Sequence, residues 1–319
     1  MAAYSKRRLA ALSASVCPIA IAAVLAWIEM RPGRSIEATP APTWVDSNEL
    51  EAIYPLSATE LLEQFRRVGY ESLPYYGTAA VPRYAVQSLP HDLIALNVEA
   101  RKSIFFRALL PIVVAENQRI RAQRQRLIEL FALPITRWTE ADINWVVELK
   151  DTHRVNGSVT EQSTRQELLL RIDELPAALV LAQAANESAW GTSRFARLGN
   201  NLFGLWTYDE SQGIIPANRS PGEKHAVQVF PDISAAVRAY FQTINSHTAY
   251  AELRELRSKL RHANLPLDSR IIAGGLRRYS SRGDEYVASI RELIERHRLT
   301  GLRNSTLRAA RDQVVASRL

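Results

Sequence analysis

From Pro176 to Glu187 the chain reads Pro-Ala-Ala-Leu-Val-Leu-Ala-Gln-Ala-Ala-Asn-Glu, apolar on nearly every position until its last residues. A helix that is apolar all round must lie inside a packed core, so other elements have to surround it. Proline at its start suits the first turn, where no backbone N–H is needed. Spacings of three and four put Val180, Gln183 and Glu187 on one face. A carboxyl at the end of such a helix is partly withdrawn from water and sits at the negative end of the helix dipole. Both effects favour the protonated form that a general acid needs. A Trp190-Gly191 turn follows, then a loop with Asn200-Asn201 and the aromatic residues Phe203, Trp206 and Tyr208. Aromatic faces suit the apolar faces of sugar rings. The plainer reading of Glu187 is a structural salt bridge, with Arg194 as its partner.

The chain has 319 residues, of which 47% are hydrophobic and 23% charged, enough for one or two domains with a sizeable core. Its formal net charge of +7 suits an anionic surface such as phospholipid, cell-wall polymer or nucleic acid. The basic run Arg119, Arg121, Arg124, Arg126 reads as a solvated helix face rather than a nucleic-acid site. The single cysteine, Cys17, excludes an intramolecular disulfide and a cysteine-based metal site.

Lys6, Arg7 and Arg8 precede an uncharged run from Leu9 to Ile28, about the length that spans a bilayer. The basic flank puts the N-terminus in the cytoplasm. Two readings stand: an uncleaved signal anchor, or a signal peptide cleaved near Val24-Leu25-Ala26. The organisation expected is signal anchor or signal peptide over 1–30, a Pro-containing linker over 31–56, a helical region over 57–160, a second domain over 161–300 and a basic tail over 301–319. Ser57-x-x-Glu60 predicts a capping box, and Asn97 and Thr139 predict further helix starts. Pro111 should kink the helix that runs to about Phe131. His225-Ala-Val-Gln-Val-Phe230 alternates as a half-buried strand does, inside a Gly- and Pro-rich stretch that predicts a small β-lobe. Asp232 or Ser234, Asp268 and Asp284 open the later helices.

Several site types are missing. The sequence holds no His-Glu-x-x-His, no phosphate-binding Gly-x-x-x-x-Gly-Lys, no Gly-x-Gly-x-x-Gly and no Gly-x-Ser-x-Gly. No cofactor and no metal are expected.

The run Ala-Asn-Glu187-Ser-x-Trp190-Gly191-x-Ser193-x-Phe-Ala, followed by Gly-Asn-Asn-Leu-Phe-Gly204-x-Trp206, resembles the endo-β-N-acetylglucosaminidases of glycoside hydrolase family 73, in their Bax-type branch. The flagellar FlgJ hydrolase domain is similar at a greater distance. The later pieces Gly222-x-x-His225-x-Val-x-x-Phe230, Asn245-x-His247-x-Ala-Tyr250, Leu276-x-x-Tyr279-Ser280 and Gly283-Asp284-x-Tyr286 agree, as do Arg101-Lys102-x-x-Phe105 and Leu109-Leu110-Pro111 upstream. The resemblance implies an α+β, mainly α fold: a lysozyme-like domain with a small β-lobe, here preceded by a helical region and an N-terminal transmembrane or signal helix.

The resemblance also implies the chemistry. Glu187 is the proton donor and Tyr279 the active-site tyrosine facing the scissile sugar. Gln183, Trp190, Asn201, Phe203, Trp206 and Tyr286 are the expected substrate-binding residues. The family's second acidic residue has no matching position; of Asp209, Glu210 and Glu223, the last is the first choice because it borders the expected strand. If none serves, the substrate's own 2-acetamido group takes that part. The function expected is cleavage of the β-1,4 bond between N-acetylglucosamine and N-acetylmuramic acid in peptidoglycan. A lytic transglycosylase on the same scaffold and an inactive wall-binding module are the alternatives. The expected partners are peptidoglycan glycan strands and the inner membrane, reached through the N-terminal helix, with the domain in the periplasm; nucleic acid is not expected.

Overall fold

The structure is a computed structural model and describes residues 50–75, 80–217, 219–220 and 222–309. The apolar run from Leu9 to Ile28, most of the linker and tail residues 310–319 lie outside the described residues. Among the described residues, no helix is long and apolar enough to cross a membrane.

Ten α-helices follow one another in the described chain: α1 (Ala58–Arg67), α2 (Val98–Phe131), α3 (Glu140–Thr152), α4 (Gln162–Arg171), α5 (Ala177–Ser188), α6 (Arg194–Gly199), α7 (Ile233–Ser246), α8 (Ala251–His262), α9 (Ser269–Ile272) and α10 (Asp284–Arg296). The strands are short: β1 (Glu51–Ile53), β2 (Ala80–Val81), β3 (Tyr84–Val86), β4 (Trp206–Thr207), β5 (Gly213–Ile214), β6 (Ala226–Gln228) and β7 (Thr306–Leu307). The fold is mainly helical with small sheets. Strands β4, β6 and β5 make a three-stranded antiparallel sheet in that order, which is the small β-lobe. Two further pairs are parallel, β1 with β3 and β2 with β7.

Local chemistry sets most helix starts. Asn97 accepts the Ala100 N–H at 2.9 Å, Asp232 accepts the Ala235 N–H at 2.7 Å, and Thr139 forms a reciprocal capping box with Asp142. The Ser57 box is only half made as predicted. Ser57 Oγ accepts the Glu60 N–H, but the Glu60 carboxylate turns to the Leu56 N–H instead of that of Ser57. Helix α2 runs through Pro111 without interruption.

Helix α5 is the centre of the core. Every residue from Ala177 to Ala185 is buried, and Leu179 to Ala184 are sealed off completely. Full burial of each Leu or Val here contributes about 1.5–3 kcal/mol relative to exposure. Helices α2 and α10 pack directly against α5. One hydrophobic core runs across residue 160: Phe105, Leu109 and Val113 of α2 join it together with Leu179, Leu181, Tyr240 and Ile290. The helical segment before residue 160 therefore helps to enclose α5.

Candidate active site

The end of α5 is built to stop abruptly. Ser188 Oγ donates to Ala184 O at 2.6 Å and accepts the Gly191 N–H at 2.8 Å. Ala189, Trp190 and Gly191 then all take positive φ, at 50°, 60° and 80°. For the two non-glycine residues that conformation costs about 1–2 kcal/mol each. A side chain at Gly191 would meet Leu89 Cδ1 at 2.3 Å, so any other residue would have to displace Leu89 as well as hold the positive φ. The turn folds Trp190 back against Phe105, Phe106 and His297, with ring centroids 5.0–5.9 Å apart, and under Lys102 Nζ at 5.2 Å. Trp190 thus closes the helix end against α2 and α10.

Glu187 sits half-buried on the last turn of α5. Tyr286 on α10 donates its hydroxyl to Glu187 Oε1 at 2.8 Å, and Asn186 Nδ2 donates to the same oxygen at 3.0 Å. No described hydrogen bond reaches Oε2. That oxygen faces Gly204, where an added Cβ would lie 3.9 Å away. Gly204 is exposed, with φ +66°. Among the described residues Glu187 forms no ion pair. The Arg194 bridge is not made: Arg194 reaches Ile215 O and lies over the Phe195 ring.

Behind the carboxyl lies a chain of neutral polar groups. Gln183, 0% exposed, donates through Nε2 to Tyr286 Oη at 2.9 Å, and its Oε1 accepts the Tyr240 hydroxyl. Tyr279 stacks on Tyr286 with ring planes 8° apart and centroids at 5.5 Å, and Tyr250 tilts against Tyr279 at 5.8 Å. Burial first, and the nearby Glu187 second, push the Tyr286 hydroxyl well above its ordinary value and that of Tyr250 up to about 12. Burial likewise raises Tyr240 and Tyr279. All four stay protonated at neutral pH, and Tyr240, Tyr279 and Tyr286 act as hydrogen-bond donors.

Apart from Trp190 at the helix end, the expected substrate-binding residues separate into three places. Gln183 and Tyr286, the latter 1% exposed, lie behind Glu187 rather than in an open groove. Asn201 and Phe203 organise the loop. Asn201 is buried; its Nδ2 donates to Leu205 O and Gln228 O at 2.8 Å each, and its Oδ1 accepts the Phe203 and Leu205 N–H groups. Every polar position of that amide is filled by backbone, which leaves none for a sugar. Phe203 is buried face to face with Tyr240, centroids 4.2 Å apart. Trp206 alone of the set is open, 60% exposed on β4, and it stacks on His225 at 4.2 Å.

Tyr279, singled out in the sequence, donates its hydroxyl to Phe203 O at 2.6 Å. It pins the loop that carries Gly204, whereas the tyrosine on the carboxylate is Tyr286. The lobe carboxylates all have local partners. Asp209 accepts from Ser211, Glu210 pairs with Arg219 at 2.6 Å, and Glu223 lies 3.5 Å from His225 Nδ1. Asn186 and Tyr240 were not among the expected site residues, although Asn186 falls in the motif quoted above. Among the described residues, no group of three or more His, Cys, Asp or Glu side chains is arranged to hold a metal ion.

The site is thus a half-buried carboxyl at a helix end, backed by phenols and faced by an exposed glycine loop. Residues 166–299 match the family model of mannosyl-glycoprotein endo-beta-N-acetylglucosaminidase, and this span includes every residue of the site. Protein bax of Escherichia coli (strain K12) is 30% identical over 187 residues, covering 58% of this chain and 66% of that protein, just under two thirds of its length. The chain carries a Bax-type, glucosaminidase-like domain. No solved structure matches it.

Proposed function

We propose that this protein is a peptidoglycan hydrolase that cuts the β-1,4 bond between N-acetylglucosamine and N-acetylmuramic acid, with Glu187 as general acid. One observation carries the reading: Glu187 Oε1 is anchored by two neutral donors while Oε2 is unbonded among the described residues and faces the exposed Gly204 loop. A protonated Oε2 delivers its proton to the glycosidic oxygen as the C1–O bond breaks, and positive charge develops on the sugar ring. Trp206 offers an exposed aromatic face for a neighbouring sugar. The +7 net charge favours the anionic wall polymer.

The group opposite Glu187 comes from one of two sources, Glu223 or the substrate's own 2-acetamido group. The Glu223–His225 contact within the lobe favours the acetamido route. Glu223→Gln separates them: retained activity assigns the step to the substrate. A single acid without a paired carboxylate also suits a lytic transglycosylase, which would leave anhydro ends. The Leu9–Ile28 run would tether the domain to the periplasmic side of the inner membrane as an anchor, or release it into the periplasm as a cleaved signal.

Purified sacculi provide the test. Wild-type protein should clear them in a zymogram, Glu187→Gln should not, and mass spectrometry should find N-acetylglucosamine at the new reducing ends. Clearing by Glu187→Gln as strong as wild type would sink the assignment. Sacculus binding with no released sugar from the wild type would leave a wall-binding module instead.

A further inference from the structure

We infer that Gln183 is a positioning residue: through Tyr286 it fixes which oxygen of Glu187 carries the catalytic proton. The inference rests on Glu187 being the acid. Gln183 lies one turn before Glu187 on the same face of α5 and is wholly buried, between Tyr240 of α7 and Tyr286 of α10. An amide in an apolar core costs free energy unless both its ends are bonded, and here both are.

The direction of these bonds follows from the donor inventory. A tyrosine has one proton, and an amide has a fixed donor end and a fixed acceptor end. Tyr240, also wholly buried, has no described hydrogen-bond partner other than Gln183 Oε1, so its proton goes there. That orients the amide, and Nε2 must then donate to Tyr286 Oη. With its oxygen accepting from Gln183, Tyr286 sends its own proton outward to Glu187 Oε1. Asn186 donates to the same atom. Oε1 is thus occupied by two incoming donors, and the acid proton resides on Oε2, the oxygen on the Gly204 side. A reversed amide would take the Tyr286 proton itself, leave the Tyr240 hydroxyl without an acceptor, and free Oε1 to compete for the acid proton.

The titratable and charged groups around this chain are Glu187 on α5, Tyr240 on α7, Tyr250, Tyr279 and Tyr286, with the Arg282 guanidinium 5.5 Å over the Tyr286 ring. The phenols remain protonated at neutral pH, so a new carboxyl at position 183 is the group whose titration a variant would add. The test uses the full chain on purified peptidoglycan, reading kcat, KM and the pH–rate profile. Gln183→Met should lower kcat about tenfold, the rate equivalent of one net hydrogen bond, with KM within about twofold of wild type. Gln183→Glu is more specific. Its protonated carboxyl can accept from Tyr240 and donate to Tyr286 as the amide does, whereas its carboxylate can only accept and draws the Tyr286 proton away from Glu187. Activity should therefore be retained at low pH and lost along a new alkaline limb. Tyr240→Phe, which deletes only the hydroxyl that orients the amide, should lower kcat severalfold in the same sense and serves if the Gln183 variants do not fold.

Three outcomes overturn the inference. These are a Gln183→Met variant with wild-type kcat, a Gln183→Glu profile that is scaled but unchanged in shape, and a fully active Tyr240→Phe. Any of these, beside an active wild type and an inactive Glu187→Gln, removes the positioning role and leaves the hydrolase reading intact. An inactive wild type overturns both.

Discussion

Helix α5 has a carboxylate near each end, and the two are treated in opposite ways. Asp173, 2% exposed and just before the helix, is surrounded by guanidinium groups: Arg261 at 2.7 Å, Arg257 at 3.7 Å and Arg124 at 3.9 Å. Burial pushes its carboxyl up, and Arg257, Arg261 and Arg124 together outweigh it, leaving Asp173 below the ordinary carboxylate value. Asp173 O and the Glu174, Leu170 and Arg171 carbonyls also accept from Arg257, so the cluster ties α8 to the chain entering α5. Glu187, at the far end, has only neutral donors on it, Tyr286 and Asn186. A carboxylate held by cations is fixed in one charge state and serves the fold. A carboxyl held by phenol and amide can exchange a proton without breaking an ion pair, which is what acid catalysis requires.

This contrast is open to direct attack. The largest expected effect is Glu187→Gln, with activity down about 10³-fold, within the range usual for a general acid. Its melting temperature should stay close to wild type, because no ion pair is lost. Asp173→Ala should show the inverse pattern. Leaving Arg257 buried without its carboxylate should cost about 3–5 kcal/mol in urea unfolding, with activity per folded molecule retained. If Asp173→Ala abolished activity at unchanged stability, the division of labour between the two ends would be wrong.

A smaller effect comes from His153, buried near the same cationic cluster. Burial first, then Arg119, Arg171 and Arg257, lower its value from 6.5 to about 4. The unfolded chain takes up this proton below about pH 6.5 and the folded one only near 4. Stability is therefore full above that window and falls on acidification through it, by up to about 3 kcal/mol. Asp173 acts lower still: its stabilisation is present above 3.8 and is lost as pH falls through its depressed folded value. Urea melts from pH 7 to 4 should show the loss in wild type and a flatter curve in His153→Leu. The smallest effect expected is Gly204→Ala, about 1–2 kcal/mol from the positive φ, with a methyl set near Oε2 that lowers the rate. Full activity in that variant would argue against substrate approach from the Gly204 side.

Much of this was legible in the chain itself. The capping residues Asn97, Thr139, Asp232 and Asp268 all cap the helices they precede, because a cap is satisfied by the next three residues. The all-apolar run of α5 could only be central. Pairings between distant residues were not legible: Glu51 lies beside Tyr84, and Ala80 beside Thr306. Two- and three-residue strands carry too little pattern to announce such partners. The site divides in the same way. Glu187 stood out from its helix and its motif, and it lies half-buried on the last turn of that helix. Yet Tyr279 read as the tyrosine of the reaction and Tyr286 as a substrate-binding residue, whereas Tyr286 is the one on the carboxyl and Tyr279 holds Phe203 O; and Trp190, Asn201 and Phe203 read as groove residues although they pack inward.

By itself the sequence determined that one apolar helix would be enclosed by others and would end in an acid beside a Trp-Gly turn, because periodicity, caps and glycine requirements act over a few residues. Only the tertiary structure decided what the acid touches. Tyr240, Gln183, Tyr286 and Glu187 span 104 positions along the chain and meet because three helices pack there. Hydrogen-bond direction depends on which donors and acceptors are brought within about 3 Å of one another, and no local pattern encodes that.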